Sequence, residues 1–126
     1  MKRNNNKCHT DEVKATRLES DLIVGRDRPN EAFWGVHTLR AVENFPISGV
    51  PIGHYRSLVR GLGFIKEASA SANLKLGVIT SEIAEPIIKA CIEVRDGKFD
   101  DQFVVDAIQG GAGTSTNMNA NEVICN

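Results

Sequence analysis

Long apolar runs are missing from this 126-residue chain. Nothing in it approaches the ~20 residues a membrane-spanning helix requires, so no membrane span is expected. A surplus of one charge is missing too. With 15 basic and 16 acidic residues the net charge is −1, and no general basic field points to nucleic acid or an anionic membrane. Cysteines are few: Cys8, Cys91 and Cys125 are odd in number and widely spaced. That fits reduced thiols in a cytoplasmic protein better than a disulfide framework. Cys8-His9 has no second pair nearby, so a four-ligand zinc site is not expected. The segment Met1–Lys7 is charged and lacks the apolar stretch of a signal peptide. There is no internal repeat and no low-complexity tract.

What is present is an ordinary globular composition, 41% hydrophobic and 25% charged, in a length that supports one modest core. Residues 1–16 are polar and unpatterned, which predicts a flexible leader, and 17–126 form the domain. Residues 17–53 read as irregular and partly extended. The apolar runs Leu22-Ile23-Val24 and Phe33-Trp34-Gly35-Val36 flank a turn signal at Asp27-Arg28-Pro29-Asn30. A helix is expected over 54–76, where Tyr55, Leu58, Leu62, Ile65, Ser69, Ala72 and Leu76 recur at steps of three and four. Gly61 and Gly63 within it suggest close approach of a neighbour, and Gly77 supplies a stop. A second helix is expected over 82–95, with Ile83, Ile87, Cys91 and Val94 as its apolar face and Gly97 as its end. Pro86 sits too deep to be its first residue, so the regular helix starts near Glu85 or its first turn is kinked. A third helix begins near Thr114. The predicted fold class is mainly α: an irregular, partly extended N-terminal segment followed by two to three helices.

The richest segment is Gln109-Gly-Gly-Ala-Gly-Thr-Ser-Thr-Asn-Met-Asn-Ala-Asn-Glu-Val123. It has neither the Gly-Lys-Ser/Thr ending of a phosphate-binding P-loop nor the G-x-G-x-x-G spacing of a dinucleotide fingerprint. It does aim donors at one spot. Thr114 is placed to be the N-cap, and the N–H groups of Ser115, Thr116 and Asn117 would lack intrahelical partners. A carboxylate there would gain hydrogen bonds of about 1.5–3 kcal/mol each, with ~0.3–1 kcal/mol from the macrodipole. The alternative is a tight turn and an N-cap with no ligand. Asparagine is a mediocre helix former, so Asn117, Asn119 and Asn121 at alternate positions are expected to have partners for their amides. Asn117 and Asn121, four apart, share a face that is either a polar ligand site or a buried hydrogen-bonding seam. A second cluster runs from Gly35 to Arg40. Arg40 could clamp a carboxylate through its two-pronged guanidinium, or it could form a structural ion pair beside a merely hydrogen-bonded His37.

These segments, in this order and at this separation, resemble the N-terminal part of the aspartate ammonia-lyases of the aspartase/fumarase superfamily. The resemblance is carried by Arg17–Leu22, by Pro29 through Gly35-Val-His-Thr-Leu-Arg-Ala-Val-Glu-Asn-Phe45, by Asp101-Gln-Phe103, and by Gln109 through Ile124. Gly111-Ala-Gly-Thr-Ser115 and His37-Thr-Leu-Arg40 favour the aspartase branch over fumarate hydratases, which usually have Gly-Ser-Gly-Thr-Gln and Gln-Thr-Gln-Arg there. Phe33-Trp34 departs from the two tyrosines aspartases often carry. The resemblance implies reversible, cofactor-independent elimination of ammonia from L-aspartate to fumarate. A loop serine removes the Cβ proton, and preorganised donors hold the charge that develops on the carboxylate. It implies a substrate-carboxylate role for Thr114, with Ser115 and Asn117 beside it and Arg40 shaping the site indirectly. It implies no metal or cofactor, and a homotetramer for the full-length protein. The family's later Ser-Thr-Asn-Asp motif and its serine-bearing loop are not in this sequence. The chain is therefore expected to form one wall of a substrate site and to be inactive alone. A fumarate hydratase fragment and a non-catalytic helical module that binds a dicarboxylate or docks onto a relative are the alternatives.

Overall fold

A computed structural model describes residues 15–126. The Cys8-His9 pair and residues 1–14 of the expected leader lie outside the described residues. The chain begins as a hairpin, β1 (Thr16–Ser20) antiparallel to β2 (Gly25–Pro29). The turn joining them is built by Asp21, whose Oδ1 accepts the N–H groups of Ile23 (2.8 Å) and Val24 (3.1 Å). The turn expected at 27–30 is thus displaced: Asp27–Pro29 belong to β2. Pro29 is tolerated because it ends a strand in a two-stranded sheet. Leu22, Ile23 and Val24 form the exposed hairpin tip rather than a strand.

Four helices follow: α1 (Val36–Asn44), α2 (Arg56–Lys75), α3 (Ser81–Arg95) and α4 (Thr114–Cys125). The observed fold is mainly helical, as the sequence predicts, but α1 lies inside the segment read as irregular. Its boundary residue, Gly35, makes no side-chain cap. Helices α2 and α3 end where glycine allows. Gly77 and Gly97 have φ of +70° and +90°. In each case the two residues past the cap donate back to the last turn: Gly77 to Leu74 and Val78 to Asn73, Gly97 to Val94 and Lys98 to Glu93. Helix α3 runs from Ser81 to Arg95 with Pro86 inside it, so a start near Glu85 is not seen.

The core gathers Ala41, Ile52, Val59, Val94, Phe103, Val105, Ala120 and Val123. Fully burying a side chain such as Phe103 or Val59 contributes about 1.5–3 kcal/mol. The apolar stripe read along α2 lies mostly outside this core. Val59, Gly63 and Ala70 are buried, whereas Ile65 is 61% and Leu76 77% exposed. On α3 the buried positions are Ala84, Cys91 and Val94, and Ile83 is exposed. Gly63 is the close-approach glycine, since a Cβ there would meet Cys91 O at 3.1 Å; Gly61 faces open space. Cys91, on the expected apolar face of α3, is buried as a small core residue, and burial pushes its thiol pKa up.

The stretch between α3 and α4 is pinned by Asp106. Its carboxylate accepts Ser48 Oγ (2.6 Å) and the N–H groups of Ser48, Gly49 (2.8 Å each) and Ile108 (2.7 Å). Those bonds, the Ser48 hydroxyl foremost, hold the carboxyl well below the usual range against the effect of burial. Asp106 thus sets where the glycine loop leaves the core.

Candidate functional site

Helices α1 and α4 run alongside each other in opposite senses, and their facing stripes form the site. The glycine loop enters α4 through Gly111 and Gly113, both at positive φ (+73° and +78°), where a side chain would be strained. Gly110 lies against Phe45 at the end of α1, so close that a Cβ would sit 2.8 Å from the ring. The cap of α4 is Gly113, which corrects the expectation that Thr114 is the N-cap: Thr114 is the first helical residue. Asn117 N–H is not free either, since it donates to Gly113 O. Gln109 occupies one further donor, its Oε1 accepting Thr116 N–H (3.1 Å). Among the described residues, the N–H groups and hydroxyls of Thr114 and Ser115 have no partner. Thr114 is exposed and Ser115 half-buried.

These two residues open onto a cleft of about 220 Å³ that is also lined by His37, Arg40, Ala41, Asn44, Phe45 and Met118. Three of the four residues singled out from sequence, Thr114, Ser115 and Arg40, therefore meet. Asn117 does not join them; its Oδ1 accepts Lys66 Nζ at 2.5 Å. Asn121 borders a mainly apolar groove of about 330 Å³ between α2, α3 and α4, which also contains Lys66. The buried asparagine is Asn119, bonded to Val105 N–H (3.4 Å) and Gln102 O (2.9 Å). So the seam exists, but on the residue between the two predicted. The smaller cleft is the better candidate because it alone receives unpaired donors at a helix N-terminus.

Arg40 reaches the cleft with its fork already engaged. Nε and one Nη donate to Asp21 at 2.9 and 3.0 Å, and the same Nη donates to Val24 O. This is the structural ion pair, and the Arg40 guanidinium is the chief cause holding the Asp21 carboxyl well below its ordinary value.

The N-terminus of α1 offers the contrast. Its four orphan donors are all filled, by two distant carboxylates. Glu122 of α4 accepts Gly35 N–H (2.8 Å), His37 N–H (3.0 Å) and Thr38 N–H (3.1 Å), and its Oε1 lies 2.9 Å from His37 Nδ1. Glu19 of β1 accepts Val36 N–H and also pairs with buried Arg28. Burial pushes the Glu122 carboxyl up, but the neighbouring Thr38 side chain and these N–H groups outweigh it and leave it below the ordinary range. Sequence reasoning assigned no role to Glu122, Glu19, Asp21 or Gln109. Nothing local marks the two glutamates as caps, because the donors they serve lie 84–87 and 17 residues away.

The two helix N-termini therefore differ in kind, one filled from within and one open on a cleft. The family model described as lyase matches residues 25–126. The chain belongs to that family, the aspartase/fumarase superfamily. The chain is 52% identical over 114 residues to an aspartate ammonia-lyase of Pseudomonas aeruginosa, covering 90% of this chain and 24% of that protein. It is also 52% identical over 110 residues to a class II fumarate hydratase of Halobacterium salinarum, covering 87% and 23%. The crystal structure of fumarate lyase:delta crystallin from Brucella melitensis in native form is similar at 51% identity. Its TM-score is 0.85, and the match covers 87% of this chain and 26% of that one. The chain thus spans about a quarter of the length of these lyases.

Proposed function

We propose that this chain supplies the N-terminal wall of the substrate site in an aspartate ammonia-lyase, which reversibly eliminates ammonia from L-aspartate to give fumarate. The observation that carries the proposal is the open N-terminus of α4: unpaired N–H groups and hydroxyls on Thr114 and Ser115, facing a cleft of dicarboxylate size. A carboxylate seated there is held by charge-assisted hydrogen bonds and by the helix dipole. These donors are fixed before charge develops, which is the condition for stabilising an oxyanion-like intermediate. Arg40 acts through Asp21, bracing the hairpin tip beside the cleft. Proton abstraction belongs to polypeptide outside the matched quarter, so the chain alone turns over no substrate. The working enzyme is a cytoplasmic homotetramer that needs no cofactor.

A second reading, fumarate hydratase, is favoured by the identity to the Halobacterium enzyme. Gly111-Ala-Gly-Thr-Ser115 supports the aspartase side. A subunit of full relative length carrying this segment, assayed for fumarate formation from L-aspartate and from L-malate, separates them. The proposal expects turnover of aspartate that Thr114→Val reduces roughly 10- to 150-fold in kcat/KM. Turnover of malate alone, or an unaffected Thr114→Val variant, overturns it.

A further inference from the structure

The cleft is only as well formed as the fit between its two walls, and Glu122 holds them together. Ser115, Met118 and Glu122 fall at spacings of three and four on α4 and form one stripe toward α1. The first two line the cleft, while the third closes its far end on Gly35, His37 and Thr38. The opposite end is closed by Phe45 against Gly110. The spans match. The nine residues from Thr114 to Glu122 and the nine of α1 each rise about 13.5 Å. The two helices are thus fastened at both ends with the cleft between. The fastening at the Glu122 end is polar, three N–H bonds and a histidine converging on a carboxylate whose side chain is only 11% exposed. That carboxylate also fills the competing positive pole at the start of α1, leaving α4 as the open one.

We propose that Glu122 is a positioning residue for the dicarboxylate cleft. It yokes the N-terminus of α1 to α4 so that the His37–Arg40 turn stands opposite Thr114 and Ser115. Glu122 does not itself touch the ligand. This rests on the reading of the cleft given above, and the test keeps the two apart.

The test compares the wild-type chain with Glu122→Gln and Glu122→Asp by amide chemical shifts, first without ligand and then during titration with succinate. Glutamine keeps the size but turns one acceptor into a donor facing N–H groups. Aspartate keeps the charge and loses reach. Without ligand, the proposal expects both variants to move the Thr114 and Ser115 amides, two turns from the substituted residue, as well as those of Gly35, His37 and Thr38. Shifts confined to the residues touching Glu122 would mean a local cap and overturn the proposal. With succinate, the wild-type amides of Thr114, Ser115, His37 and Arg40 follow one curve. In the variants the α4 amides still respond, with a midpoint weakened at least about five-fold, and the α1 amides no longer track them. An unchanged midpoint with α1 and α4 still tracking overturns the positioning role. A wild-type chain indifferent to succinate removes the dicarboxylate reading, while the ligand-free comparison still decides whether Glu122 aligns the two helices.

Discussion

Replacing Gly35 with alanine tests the capping of α1 by remote carboxylates. The backbone at Gly35 is extended (φ −108°, ψ −162°), so alanine meets no conformational penalty there. The obstacle is space. The new Cβ would lie 2.6 Å from Glu19 Oε1 and 2.8 Å from Glu122 Cδ and Oε1. Both are ends of flexible side chains and can move, but moving them breaks the bonds that fill the α1 N-terminus. Each charge-assisted bond lost at this half-buried site costs about 1.5–3 kcal/mol. Losing one or two, with partial recovery by water, predicts destabilisation of about 2–4 kcal/mol. That is a large share of the ~5–15 kcal/mol available to a domain, and lowers Tm by roughly 10 °C. Urea unfolding followed by far-ultraviolet circular dichroism gives the value. Gly61→Ala is the internal control. It lies in a helix with open space at its Cβ and should gain about 0.5–1 kcal/mol. A Gly35→Ala variant within ~0.5 kcal/mol of wild type, the ordinary range for surface changes, would refute the capping argument.

Other substitutions probe the remaining supports. Gly53→Ala places a Cβ 2.2 Å from the Asp100 carbonyl oxygen. Backbone cannot swing aside, so the cost should exceed the ~1–3 kcal/mol typical of overpacking, measured by the same unfolding curves. Asn119→Ala strands Val105 N–H and Gln102 O in the core, and a loss of about 2–4 kcal/mol is expected. Asp21, Asp106 and Glu122 all have carboxyl pKa values lowered by their native partners. Their stabilisation is therefore complete above the unfolded carboxylate value of ~4 and is lost as pH falls below it. Acid titration should show stability falling from about pH 4 downward, with Asp106→Asn flattening that limb; stability that rises on acidification would contradict the assignment.

How much of this was legible in the sequence depended on how local each signal is. Helices α2, α3 and α4 announce themselves through periodicity, and Gly77 and Gly97 end two of them through contacts made within a few residues. Helix α1 was missed because its caps, Glu19 and Glu122, are remote, and nothing near Gly35 resembles an N-cap. The hairpin turn was misplaced because Pro29 was read as a turn residue, while the Asx turn at Asp21 carried the real signal. The apolar stripe of α2 is legible as a stripe from its spacing, but periodicity does not say what covers it: Ile65 and Leu76 are exposed within this chain. At the site, Thr114 and Ser115 could be picked because a glycine loop followed by hydroxyls is a local pattern. That Arg40 is held by Asp21, and Asn117 by Lys66, depends on folding bringing distant residues together.

The claim on which the account turns is that the start of α4 grips a dicarboxylate through Thr114 and Ser115. Calorimetric titration of succinate into the wild-type chain and into Thr114→Val measures it directly. Removing one hydrogen-bonding group to a carboxylate, at about 1.5–3 kcal/mol, predicts binding weakened roughly 10- to 150-fold with the fold intact. Equal affinity in the two proteins, or no binding by the wild type, would contradict it.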